Sequence, residues 1–157
     1  MTRLVLVFAS PLAQELGVLA DRLAWPITLI DPDRGRLDSD PVPYARCELT
    51  VAGGRIDDTC DVVVTDHHRD ELGDVLAAVL ATPARWVGIV GNPRHIGPHI
   101  AALQERGVDP DQIARVQRPI GLDIGSRTPA EIAIATVAGL VAVHHGREGG
   151  FLRAVSS

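Results

Sequence analysis

A lone acid, Asp123, stands between Gly121 and Gly125 in the stretch RPIGLDIGSRTPAEIA, immediately ahead of a strongly marked helix start. Glycines on both sides let the backbone turn tightly, so a carboxylate and several peptide N–H groups can face one point beside a positive helix end. Such an arrangement suits an anion or a small polar ligand. The helix start itself is written in Thr128, Pro129 and Glu131. Thr128 can cap the Glu131 N–H, Pro129 fits the first helical position, and Glu131 can reach back to the Thr128 N–H. Arg127, next to the cap, adds a guanidinium for ligand contact or a surface ion pair.

Other side chains of this kind follow apolar runs. Ser10 precedes Pro11 where a helix would begin, and its hydroxyl can cap that helix. Asp31 ends the run Ile27–Ile30 about twenty residues later, where an acid commonly takes ribose hydroxyls, although it also suits a turn before Pro32. Thr65-Asp66-His67-His68 follows Val62–Val64, and Gly91-Asn92-Pro93-Arg94 follows Trp86–Val90. In each case polar groups emerge directly from a strand end. His95 and His99 could meet a metal from one helix face, but Gly97 and Pro98 interrupt that helix and no third ligand is evident. His144 and His145 are placed to complement a helix carboxyl end. Cys47 and Cys60 form neither a disulfide framework nor a zinc spacing. Cys47 reads as a small buried strand residue, and the neighbouring Asp61 disfavours a Cys60 thiolate.

The elements that must hold these groups alternate. Leu4–Phe8 is a continuous apolar run of the doubly covered strand type, and Leu12, Leu16, Leu19 and Leu23 then recur at helical spacing over 11–24. Ile27–Ile30 completes a strand-helix-strand unit. Residues 32–46 carry little periodicity and read as a long surface connection, with a short strand around Cys47–Val51. Val62–Thr65, Trp86–Val90 and Ile120–Ile124 supply later strands, interleaved with helical segments at 70–81, 94–106, 110–115 and 129–143. This alternation predicts an α/β three-layer sandwich with a mainly parallel sheet.

Composition narrows the partners. The 157 residues are 46% hydrophobic and carry a net charge of −5, and all fifteen basic residues other than histidine are arginine, interspersed with acids. One core of ordinary size is expected, with no electrostatic footprint for nucleic acid or a membrane surface. The amino-terminal apolar run is too short to span a bilayer, which predicts a cytoplasmic protein. Phe151 and Leu152 in the glycine-led tail EGGFLRAVSS could dock on a neighbouring subunit, so a homodimer is left open.

The string PIGLDIGSRTPAEIA closely resembles the hallmark of the XdhC/CoxI family, accessory proteins for maturing molybdenum-containing hydroxylases such as xanthine dehydrogenase. VVVTDHH at 62–68, WVGIVGNPRH at 86–95 and ERGVDPDQIARVQRPIGLDIG at 105–125 follow in the family's order. The resemblance implies one Rossmann-type domain over 1–157, without the family's cysteine-containing amino-terminal domain. It further implies a protein that binds the molybdenum cofactor and presents it to an apo-hydroxylase, without catalysing a net reaction itself. A free cofactor of this kind needs an enclosed cleft, and in an open α/β sheet that cleft lies outside the carboxyl ends of the strands. The segments reaching that edge put Ser10, Asp31, Thr65, His68, Gly91, Arg94, Gly121, Asp123, Gly125 and Arg127 in the candidate site.

Two departures from the family matter. Phe8, Ser10 and Ala13 stand where a G-x-G-x-x-G turn would have glycines, which weakens dinucleotide binding. Where the family reads closer to T-H-D-H, Thr65 and His68 match but Asp66 and His67 are exchanged. An NAD(P)-binding oxidoreductase and a regulatory remnant, with Phe8 filling the diphosphate space, therefore remain as alternatives.

Overall fold

The computed structural model describes residues 1–155; Ser156 and Ser157, at the end of the tail, lie outside them. In chain order the elements are β1 (Arg3–Val7), α1 (Pro11–Arg22), β2 (Ile27–Ile30), α2 (Arg34–Ser39), β3 (Arg46–Glu48) and β4 (Cys60–Val64). They continue with α3 (Leu72–Leu80), β5 (Trp86–Ile89), α4 (Pro98–Glu105), α5 (Pro110–Ala114), β6 (Val116–Gln117) and α6 (Pro129–His144).

The strands form one sheet in the order β3-β2-β1-β4-β5-β6. Each neighbouring pair is parallel, with Val7 opposite Ile30 on one side and Val64 on the other. Successive side chains of a strand point to opposite faces, so each strand feeds two cores. Val5, Val7, Val62, Val64 and Ile89 pack with Leu76 and Val79 of α3 and Leu103 of α4. On the other face Leu4, Leu6, Leu29 and Val63 pack with Leu16 of α1 and Val137 and Leu140 of α6. The result is the expected α/β sandwich of Rossmann type. Its strand order reverses between β1 and β4, which places a crevice beyond their carboxyl ends.

Three local expectations are corrected. The surface connection at 32–46 contains α2, because Asp33 accepts from the N–H groups of Gly35 and Arg36 at 2.9 and 3.4 Å and so caps a helix that apolar periodicity does not reveal. The last strand is Val116–Gln117, not Ile120–Ile124. Gly121 adopts φ +90°, and the Leu122 N–H donates to Ala135 O of α6 at 3.0 Å, so the chain leaves the sheet there. Finally, α4 begins at Pro98. His95 lies in the preceding turn while His99 is inside the helix, so the two do not share a helical face.

Two features lock the amino edge of the sheet. Asp61 of β4 is buried and accepts from Arg85 Nε at 3.0 Å and Nη2 at 2.7 Å. His144, in the last turn of α6, contacts the same carboxylate at 2.6 Å. His144 is thus a tether between α6 and the sheet, a role more specific than complementing the helix dipole.

Candidate functional site

At the crevice, Ser10 caps α1 as expected, its Oγ accepting from the Ala13 N–H at 3.1 Å. The Ser10 hydroxyl donates to Thr65 Oγ1 at 2.8 Å, and Thr65 donates to Phe8 O at 2.7 Å. These residues fasten the ends of β1 and β4 to each other. Phe8 holds φ +75°, the left-handed conformation that a glycine would occupy at the same turn, and its ring is fully buried. The sharp bend of a nucleotide-binding turn therefore survives without its glycine, at a cost in backbone strain.

Phe8 packs beside a buried ion pair. Asp31 is fully buried, and Arg69 donates to both of its oxygens, Nη1 to Oδ2 at 2.9 Å and Nη2 to Oδ1 at 2.8 Å. The Ala9 and Asp33 N–H groups also donate to it, each at 2.9 Å. The guanidinium lies 4.5 Å above the Phe8 ring. Burial pushes the Asp31 carboxyl up, but Arg69 and the two N–H groups more than reverse this and hold it below the ordinary aspartate value. Where a ribose would meet a free acid, the chain supplies its own cation. Asp31 is thus engaged inside the protein and is not presented to a ligand. Arg69 went unrecognised in the sequence because nothing local ties it to an acid 38 residues earlier.

The segment after β4 is also rearranged relative to expectation. His68 is exposed, while His67 points inward and makes a 3.0 Å hydrogen bond from Nδ1 to Val90 O. Burial first, and the neighbouring His68 second, hold His67 below its ordinary value. A neutral ring that donates from Nδ1 leaves Nε2 as an acceptor. The two imidazoles are 4.1 Å apart. His67, not His68, joins the ends of β4 and β5.

The open space lies further along the edge, beyond β5 and β6. A cleft of about 430 Å³ is lined by Val90, Gly91, Pro93, Ile120 and Ile132 together with the turn from Gly121 to Ser126. Its volume is within the ~300–1,000 Å³ range of small-molecule sites. Gly121, Asp123, Gly125 and Gly91 are thus brought together as expected. Gly125 has φ +71°, and a Cβ on Gly121 would come within 3.0 Å of Ala135, so both turn positions demand glycine. Thr128 caps α6 through the Glu131 N–H at 3.2 Å, but the Glu131 carboxylate accepts from Arg127 N–H at 3.2 Å instead of from Thr128. Arg94 and Arg127 are exposed beside the cleft and do not line it. The apolar walls were not singled out in the sequence, since isolated Val, Pro and Ile residues carry no local sign that they share a surface.

The cysteines lie away from this cleft. Cys47 is exposed on the edge strand β3, correcting its reading as a buried strand residue. Partial desolvation of its thiol first, then Glu48 and Asp38, push it up. Cys60 is buried and pushed up chiefly by that burial, with Asp57, not Asp61, as the opposing acid. No group of three or more potential metal ligands clusters among the described residues, and none of their helices is long and apolar enough to cross a membrane.

The sequence model of the XdhC Rossmann domain matches residues 4–140. An uncharacterised Escherichia coli K12 protein, YqeB, is 27% identical over an alignment that covers 96% of this chain and 29% of that protein. A crystal structure described as a xanthine dehydrogenase from Bacillus halodurans superposes with a TM-score of 0.74 at 23% identity, over 94% of this chain and 44% of the other. The chain therefore spans less than half the length of both relatives, and the second likeness speaks to fold.

Proposed function

The chain belongs to the XdhC Rossmann-domain family, and from that premise we propose that it carries molybdenum cofactor, a phosphorylated pterin, in the cleft rimmed by Gly121 to Ser126 and presents it to an apo-hydroxylase of the xanthine dehydrogenase type. One observation carries the reading. At the dinucleotide crevice Phe8 holds a glycine's conformation and Asp31 is taken up by Arg69, whereas the cleft further along the edge is open and holds an acid between two glycines. A pterin offers a flat ring with an aminopyrimidinone edge of N–H donors. Val90, Pro93, Ile120 and Ile132 suit the ring faces, and the Asp123 carboxylate suits the donor edge. The pairing of Asp31 with Arg69 supports treating the NAD(P)-dependent oxidoreductase as the weaker alternative. It equally favours a regulatory remnant at the nucleotide position, but that reading leaves the second cleft unused.

Anaerobic purification followed by oxidation and pterin fluorescence tests the assignment. The wild type should retain pterin, and Asp123→Ala should retain several-fold less while melting at the same temperature. Wild-type protein free of pterin after production beside an apo-hydroxylase overturns the carrier role. Equal retention by the variant removes Asp123 from the site.

A further inference from the structure

The walls of the Asp123 cleft are aliphatic, and among the described residues no aromatic side chain lines it, so a flat ring held there lacks a stacking partner. The aromatic residues of the chain besides histidine are Phe8, Trp25, Tyr44, Trp86 and Phe151. Phe8 is fully buried beneath the Arg69 guanidinium. Trp25 packs against the His144 ring, and Trp86 covers Gly88 of its own strand. Tyr44 precedes β3, at the opposite edge of the sheet from β6. Phe151 remains, fully exposed in the tail together with Leu152 and Val155.

The path of the chain carries Phe151 to the cleft. After α6, Gly146 at φ +63° lets the chain turn back, with the Arg147 N–H donating to Ala142 O at 2.8 Å. Arg147 and Glu148 then line a small cavity of about 150 Å³ beside α6, together with Leu122, Gly139 and Val143. Gly149 packs on Leu122, where a Cβ would come within 3.0 Å of Cδ2. Leu122 is a wall of both that cavity and the Asp123 cleft, so the tail leaves the body of the protein at the turn that carries Asp123. Two residues of extended chain span at most ~7 Å, which puts Phe151 within reach of Ile124. Gly149 and Gly150 hold φ +96° and +95°, a backbone region that side chains disfavour, so a glycine hinge sets the direction of the tail. Ile124 in the cleft lining is 54% exposed. Cleft edge and tail thus each leave apolar surface in water, and closing one on the other removes both.

We propose that Phe151 is a ligand-contacting residue: the tail folds from its glycine hinge across the Asp123 cleft and lays the Phe151 ring on the open face of a flat heterocycle held there. The assignment deepens the pterin-carrier reading and rests on it. The aliphatic walls take one face of the ring, Asp123 its donor edge and Phe151 the other face.

Fluorine NMR of the full chain tests the contact. Phe8 and Phe151 are the only phenylalanines, so 4-fluorophenylalanine gives one resonance from a buried ring and one from an exposed ring. On addition of 6-hydroxymethylpterin the exposed resonance should shift saturably while the buried one stays in place. By calorimetry Phe151→Ala should bind the pterin about tenfold more weakly, and Phe151→Tyr should bind it as the wild type does. Thermal melting should be the same for all three, because the replaced ring touches nothing in the free protein. Pterin binding of equal affinity in Phe151→Ala, with an unmoved exposed resonance in the wild type, overturns the role of Phe151 and leaves the pterin reading standing. Wild-type protein that binds no pterin overturns both.

Discussion

Replacing Arg69 by alanine tests how Asp31 is held at the nucleotide crevice. The pair it forms with Asp31 is withdrawn from water, with side-chain exposures of 8% and 0%. Removing one partner from a buried pair costs ~3–5 kcal/mol, because the remaining charge is left uncompensated. Asp31 keeps the Ala9 and Asp33 N–H groups, each at 2.9 Å, so the lower end applies and about 3 kcal/mol is expected at neutral pH. For a chain of this size that lowers the melting temperature by about 6–12 °C. The pH dependence identifies the cause. In the wild type the Asp31 value lies below 3.8, so its stabilisation is present above 3.8 and is lost as pH falls through the lowered folded value. In the variant, burial is no longer offset by the guanidinium and the carboxyl rises. The penalty therefore shrinks as Asp31 takes up a proton, falling from about 3 to under about 1 kcal/mol between roughly pH 7 and 4. Urea unfolding at several pH values measures this directly, and adding Asp31→Asn should recover part of the loss. A penalty below about 1 kcal/mol at neutral pH, or one that stays constant down to about pH 4, refutes the argument that Arg69 compensates a buried Asp31 charge.

Three further outcomes follow from the same geometry. Titration with NADH or NADPH should show no saturable heat up to about 1 mM, and micromolar binding would mean that Arg69 moves aside. Gly121→Ala should destabilise by about 1–3 kcal/mol in denaturant unfolding and lower pterin retention, since both the φ of +90° and the approach to Ala135 oppose a Cβ. Iodoacetamide at about pH 8.5 should label Cys47 and spare Cys60, as read by mass spectrometry, because only Cys47 is exposed; labelling of both at equal rates contradicts the burial of Cys60.

Much of the architecture is legible from short-range signals. Buried-strand runs such as Leu4–Phe8 and Ile27–Ile30, the Ser10-Pro11 and Thr128-Pro129 caps, and the two glycines around Asp123 each express a preference satisfied within a few residues. Those features correspond closely to β1, β2, α1, α6 and the left-handed turns of the cleft. The misplaced last strand shows where such signals end. Ile120–Ile124 is apolar enough for a strand, but its Leu122 N–H finds a helix carbonyl in place of a neighbouring strand.

The chain alone therefore settles the alternation of elements, their caps, and the hinge that places an acid beside a helix start. Tertiary structure alone decides which distant side chains meet. Arg69 reaches Asp31, His144 reaches Asp61 across 83 residues, and Arg118 comes to rest against Gly91 and Gly97. Those encounters depend on strand order in a parallel sheet, where sequence neighbours are separated by crossovers and the contacts at different pockets come from different crossovers. Local periodicity carries no information about such pairings, because the free energy that selects them comes from the packed sheet as a whole.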